Sequence, residues 1–142
     1  MPSPDLERLV GIGLLQHEAP IREEFEGLVR EAELTLGDAK NASLSPPSRF
    51  RLAYGAAHAL ALAALRWHGY RPRNRQVVFQ ALAHTLGTPA PIWRMLSKSH
   101  DQRNRMEYEG RGEIDERLLR DLVEAADGLL RLVRKLPSPG ET

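Results

Sequence analysis

The sequence predicts an all-α protein, an up-and-down bundle of about five to six helices joined by short connections. Three observations carry this. Apolar residues recur at 3.6-residue spacing along most of the chain, and no run alternates with the period of two that a half-buried strand needs. Most prolines, and glycines such as Gly69 and Gly87, fall between the periodic stretches. The 142 residues suffice for one domain with a core, and no interdomain linker, internal repeat or low-complexity block divides them.

Each element has a local reason. A short first helix is expected over 5–15, with Asp5 as its cap after Pro4 and with Gly11 and Gly13 weakening its end. Residues 1–18 are thus a small helix plus linker ahead of a bundle over 19–136. The second helix opens near Pro20 and runs to about Asn41. Ile21, Phe25, Leu28, Ala32 and Leu36 share one stripe, and the glutamates between them face solvent. Ser45 is a cap and Pro46 a first helical residue for a third helix that ends before Gly69, a left-handed stop.

That third helix contains LAYGAAHALALAALRW, residues 52–67, apolar nearly all round. It is shorter than a bilayer span and broken by His58, so it reads as the buried centre of the bundle, with no membrane role. A fourth helix is expected over 74–86, ending at Gly87, and a fifth over 90–108. Asp115 caps a last helix over 115–136, whose wide leucine-rich stripe suits a deep core or a subunit interface. The tail PSPGET, residues 137–142, is expected to fray.

Composition excludes some chemistry. The chain has no cysteine, which removes disulfides, a thiol nucleophile and cysteine-ligated metal. The opening MPSPDLERLV lacks the apolar core of a signal peptide, and a cytoplasmic location is the expectation. The five histidines show no metal-ligand spacing on any one helix, and no nucleotide-binding loop or dinucleotide fingerprint occurs, so neither metal nor cofactor is expected.

Net charge is +1 but unevenly spread. Residues 1–40 carry four bases and nine acids, residues 41–111 eleven bases and three acids, and residues 112–142 five bases and seven acids. The basic middle could attract an anionic polymer or neutralise the acidic flanks. Its densest part is RWHGYRPRNR, where Arg66, Arg71, Arg73 and Arg75 alternate with aromatics. That mixture suits a nucleic-acid backbone and an exposed base. The same arginines could instead pair with the acidic second helix.

One residue breaks the helical pattern. Ile92, Leu96, Ser99, Arg103 and Met106 are spaced 4, 3, 4 and 3, which places Arg103 in an apolar register. An arginine does not neutralise to escape burial, so it needs a partner, a wet cleft or a bound anion. Glu107 is four residues on and could pair with it along the helix. His100, Asn104 and Tyr108 form an adjacent polar ridge.

The segment RNRMEY, residues 103–108, resembles the signature of HEPN domains, in which Arg is followed after four to six residues by His, often with Asn directly after the Arg. Arg103 and Asn104 match, and Tyr108 stands where the His is expected. The helix order is similar too, and the form is closest to a subgroup with RNxxxY followed by an acid, here Glu109. The resemblance implies an HEPN-like homodimer whose Arg-bearing helices line a shared cleft. It implies RNA as the ligand, bound or cut without metal in a toxin–antitoxin or defence setting. It also implies a nucleotidyltransferase-type antitoxin as a partner. Arg103, Asn104 and Tyr108 are then the catalytic candidates, with His100 and Glu107 beside them, and Arg66, Arg71, Arg73, Arg75 and Arg105 the nucleic-acid contacts. The alternative is a non-catalytic dimeric module in which Arg103 and Glu107 ion pairs fix geometry.

Overall fold

The computed structural model describes residues 3–110 and 113–139. Seven helical segments and one small sheet occur among them, in the order α1 (Pro4–Gly11), β1 (Leu15–His17), α2 (Arg22–Ala39), α3 (Pro46–Trp67), β2 (Tyr70–Pro72), α4 (Gln76–Gln80), α5 (Leu82–Thr85), α6 (Ala90–Tyr108) and α7 (Glu116–Arg134). The architecture is a mostly helical bundle. Among the described residues no helix is long and apolar enough to cross a membrane.

Helix α3 is the centre. The Ser45 hydroxyl caps it by accepting from the Ser48 N–H at 3.3 Å, and Gly69, at φ +91°, turns the chain away after its end. Its alanines let neighbours approach closely, and α2, α7, α4, α5, α6 and β2 all pack on it. Phe50, Ala53, Ala57, Leu60 and Ala64 join Leu36 of α2, Leu96 of α6 and Leu122, Ala126 and Leu129 of α7 in one core. Asp115 caps α7 through the Arg117 N–H at 2.9 Å.

Four expectations are corrected. The first helix stops at Gly11, because Gly13, at φ +83°, reverses the chain and sends residues 15–17 into an antiparallel pairing with residues 70–72. The strands, expected nowhere, are three residues each, too short to show any alternation. The fourth helix breaks at Ala81. Ala81 belongs to a small second core with Leu6, Leu9, Leu15, Leu65, Tyr70 and Val77, whereas Leu82 faces the main core, and a turn there serves both. The tail is docked as far as Pro139: the Trp67 indole donates to the Pro137 carbonyl at 2.8 Å and Pro139 is buried. Residues 140–142, the remainder of the segment expected to fray, lie outside the described residues.

The two strands close over a buried cation. Arg66, 1% exposed, donates Nε to Glu24 at 2.6 Å, Nη1 to the Glu18 and Tyr70 carbonyls at 2.8 and 3.2 Å, and Nη2 to the Ala19 carbonyl at 2.8 Å. Arg71 bridges the same two carboxylates, from Nε to Glu18 at 2.6 Å and from Nη2 to Glu24 at 2.7 Å. The Arg71 hydrogen bond and the nearby guanidinium charges hold Glu18 below its ordinary pKa. For Glu24, burial pushes upward, but the bonds from Arg71 and Arg66 outweigh it and leave the group lowered.

Removing this cation leaves three carbonyls unpaired and takes from Glu24 the more buried of its two guanidinium partners. Arg66→Ala is expected to cost about 3–5 kcal/mol in denaturant unfolding, the range for breaking one side of a buried pair. Arg66→Lys should recover only a small part, because a point ammonium cannot reproduce the planar fork.

Candidate functional site

The polar end of α6 meets the middle of α3. Leu96 and Ser99 of the Arg103 register are buried, Arg103 and Met106 are half-buried, and Ile92 is exposed at the helix start. Buried Gln102, one residue before Arg103, also faces inward, and its Oε1 accepts from Arg105 at 2.8 Å.

The Arg103 guanidinium lies over the ring of Tyr54, 5.6 Å from its centroid, and its Nη1 makes a long 3.5 Å bond to Asn104 Oδ1. Arg75, from the β2–α4 connection, lies 6.0 Å from the same ring. Two guanidiniums thus share one aromatic face system, a cation–π arrangement that favours each singly and sets them against each other. Among the described residues neither pairs with a carboxylate. The Arg103–Glu107 pair of the alternative reading does not form within the chain. Arg51 of α3 takes Glu107 instead, at 3.3 Å, while Arg103 turns toward Tyr54.

Tyr54, 2% exposed, is the hub. Its hydroxyl meets His100 Nδ1 at 2.8 Å, and His100 Nε2 meets the Asn104 amide nitrogen at 3.3 Å. An amide N–H can only donate, so Nε2 accepts and the proton of the neutral ring sits on Nδ1, donating to Tyr54. His58, one turn after Tyr54, stacks on it at 6.1 Å and 26° and meets Phe79 edge-on at 5.8 Å.

The electrostatics are one-sided. Burial, then the charges of Arg75, His100 and Arg103, push the His58 pKa down to about 4. His100 is lowered by burial and by Arg103 and Arg75, against an upward pull from Asp101. Burial raises Tyr54. Both imidazoles are therefore neutral at pH 7 inside a positive environment, a combination suited to a bound anion and to proton transfer.

The sequence-predicted residues separate into four groups. Arg103, Asn104, His100 and Arg75 come together on Tyr54. Arg73 and Arg105 are exposed nearby in sequence, Arg73 on the loop beside Arg75 and Arg105 on the outer face of α6. Arg66 and Arg71, nucleic-acid candidates in the sequence, are placed differently: Arg66 is sealed in the core, and Arg71 is engaged by Glu18 and Glu24. Tyr108 ends α6 82% exposed, outside the cluster. Tyr54 and His58 were missed as a pair. Two polar rings four residues apart on an otherwise Ala/Leu helix were the available signal. Among the described residues no group of three or more His, Asp or Glu side chains could hold a metal ion.

No family model matches this chain, and a search of curated proteins finds no match.

A test follows from His58. Its folded pKa lies below the unfolded value of 6.5, so the unfolded state binds the proton first, and stability falls as pH drops from about 6.5 toward 4. A depression of this size corresponds to roughly 3 kcal/mol at the acid end. Urea unfolding at pH 7, 6, 5 and 4.5 should show this loss in the wild type and a clearly shallower one in His58→Phe. The lowered carboxylates begin to lose their contribution near pH 4.5, and His68 and His100, also lowered, share the window, so the difference between wild type and His58→Phe is the readout.

Proposed function

We propose that this chain is an HEPN-like, RNA-directed protein whose phosphate-binding centre is Arg103 with Arg75 over Tyr54. One observation carries the reading: two guanidiniums, one of them half-buried, converge on a single ring with no carboxylate partner among the described residues. Elsewhere the same chain neutralises its buried arginine thoroughly, with Glu24 and three carbonyls on Arg66. Positive charge left unmatched in a partly desolvated place is stabilised by an anion, and arginine's fork suits phosphate. The RNRMEY resemblance supports RNA as the anion. It also supports the homodimer, the toxin–antitoxin or defence setting and the nucleotidyltransferase-type partner as parts of the same proposal.

Cleavage is the stronger form of this reading, and His100 supports it. In metal-independent RNA cleavage the 2′-hydroxyl attacks the adjacent phosphorus, a base takes its proton, and the 5′-oxygen leaves with a proton from an acid. Arg103 would stabilise the charge that builds on the phosphoryl oxygens. His100 is a neutral imidazole one turn before Arg103, held by Tyr54 and Asn104. It takes the proton-carrying role that Tyr108, out in solvent, is badly placed to fill.

Titrating labelled single-stranded RNA across a salt series tests the binding claim. Arg103→Ala and Arg75→Ala should each weaken binding and lower the slope of log K against log salt by about 0.7, one phosphate contact on a single strand. Unchanged affinity and slope in Arg103→Ala would sink the RNA reading and favour a protein-interaction module. RNA cleavage in chelator, lost in both Arg103→Ala and His100→Ala, would establish the enzyme.

A further inference from the structure

Next to the Tyr54 cluster, and sharing His58 and Arg75 with it, is a cavity of about 290 Å³ between α3 and the β2–α4 connection. Leu62, Pro72 and Val78 give it apolar walls, and Asn74 stands at its edge. Two polar features are unusual. His58 Nε2 is buried yet has no hydrogen-bond partner, a state that native interiors rarely tolerate without a reason. The mouth carries arginines of two kinds: Arg71 is already neutralised by Glu18 and Glu24, whereas Arg73 and Arg75 are exposed.

We infer that this cavity is a nucleobase pocket, receiving one unstacked base of a single-stranded RNA whose phosphates lie on Arg75 and Arg103. The inference rests on the RNA reading and adds to it a second recognition element. Each part of the ligand finds its complement. A base is flat and apolar on its faces, like the Leu62, Pro72 and Val78 walls. Its edge bears neutral donors and acceptors, and the His58 ring, which lines the cavity, brings its covered and unpartnered Nε2 to that edge by a small tilt. The Asn74 Oδ1 is taken by the Val77 N–H at 2.9 Å, which leaves its amide hydrogens to donate. The attached phosphate meets the guanidiniums at the mouth.

A free phosphate would be poorly served deeper in, where the walls are apolar and the imidazole is neutral. The volume sits near the lower bound of small-molecule sites, about 300 Å³. Single-stranded RNA is read in this way in general, through splayed bases held by rings and by edge hydrogen bonds.

The probe is a labelled octamer of uridines or adenosines against an abasic octamer with the same ribose-phosphate backbone, measured by fluorescence anisotropy. Wild type should prefer at least one of the base-bearing strands tenfold or more over the abasic one. His58→Phe removes the hydrogen-bonding atom, and Leu62→Trp fills the cavity from its other wall. In each, the preference should fall to twofold or less with the salt slope kept, circular dichroism and a thermal melt confirming the fold. Equal, salt-sensitive binding of all strands by wild type overturns the base pocket and leaves the phosphate site standing. Full base preference in both folded variants also overturns it. Failure of every strand to bind overturns both the pocket and the RNA reading.

Discussion

The guanidinium of Arg66 is the fixed point from which the rest of the molecule is positioned. It lies near the end of α3 and holds the Glu18 and Ala19 carbonyls, the first turn of α2 through Glu24, and the Tyr70 carbonyl of β2. Taking such a charge out of water costs several kcal/mol, so the arrangement persists only because every arm of the fork is satisfied. That requirement forces the residues 15–19 and 70–72 alongside one another. The β2–α4 connection then leaves from a defined place and lays Arg75 against Tyr54. The position of the candidate site is thus a consequence of a salt bridge made elsewhere.

The basic middle of the chain therefore divides by solvation. Arg66 and Arg71 meet the acids of the first segment and become structural. Arg75 and Arg103 meet an aromatic ring, with one long bond from Arg103 to Asn104, and burial first, then these charges, lower the pKa of the imidazoles beside them. A single net-charge figure for residues 41–111 cannot separate these cases. Both uses were open in the sequence; neutralisation occurs on Arg66 and Arg71, while Arg75 and Arg103 have no carboxylate partner among the described residues.

Much of the fold was legible because it depends on near neighbours. The Ser45 and Asp115 caps, the Gly69 stop and the bounds of α6 come from side chains within a turn of the feature they set. What escaped was long-range. Three-residue strands exist because Arg66 draws two segments together, and periodicity does not encode that. Glu107 had a nearby arginine in sequence and chose Arg51, 56 residues away, because α3 packs against α6. Arg103 and its polar ridge were visible as an inconsistency in a helix. The ring beneath them, Tyr54, was hidden inside the most apolar stretch of the chain, where a lone tyrosine reads as core.

The resemblance to RNxxxY sequences put weight on Tyr108, yet the geometry of a helix offers a second solution. Asn104 has a neighbour four residues away on each side, His100 before and Tyr108 after, on one ridge. The two ends of that ridge differ in environment. Tyr108 lies at the last turn of α6, out in water and held by no partner in the cluster. His100 lies over α3, its tautomer set by Asn104 and Tyr54 and its pKa lowered by burial and the two arginines. A proton carrier near Arg103 needs an imidazole-like pKa and a fixed orientation, and only the earlier turn supplies both. If the missing histidine of the motif has a functional equivalent in this chain, the helix places it one turn upstream of the arginine rather than one turn down.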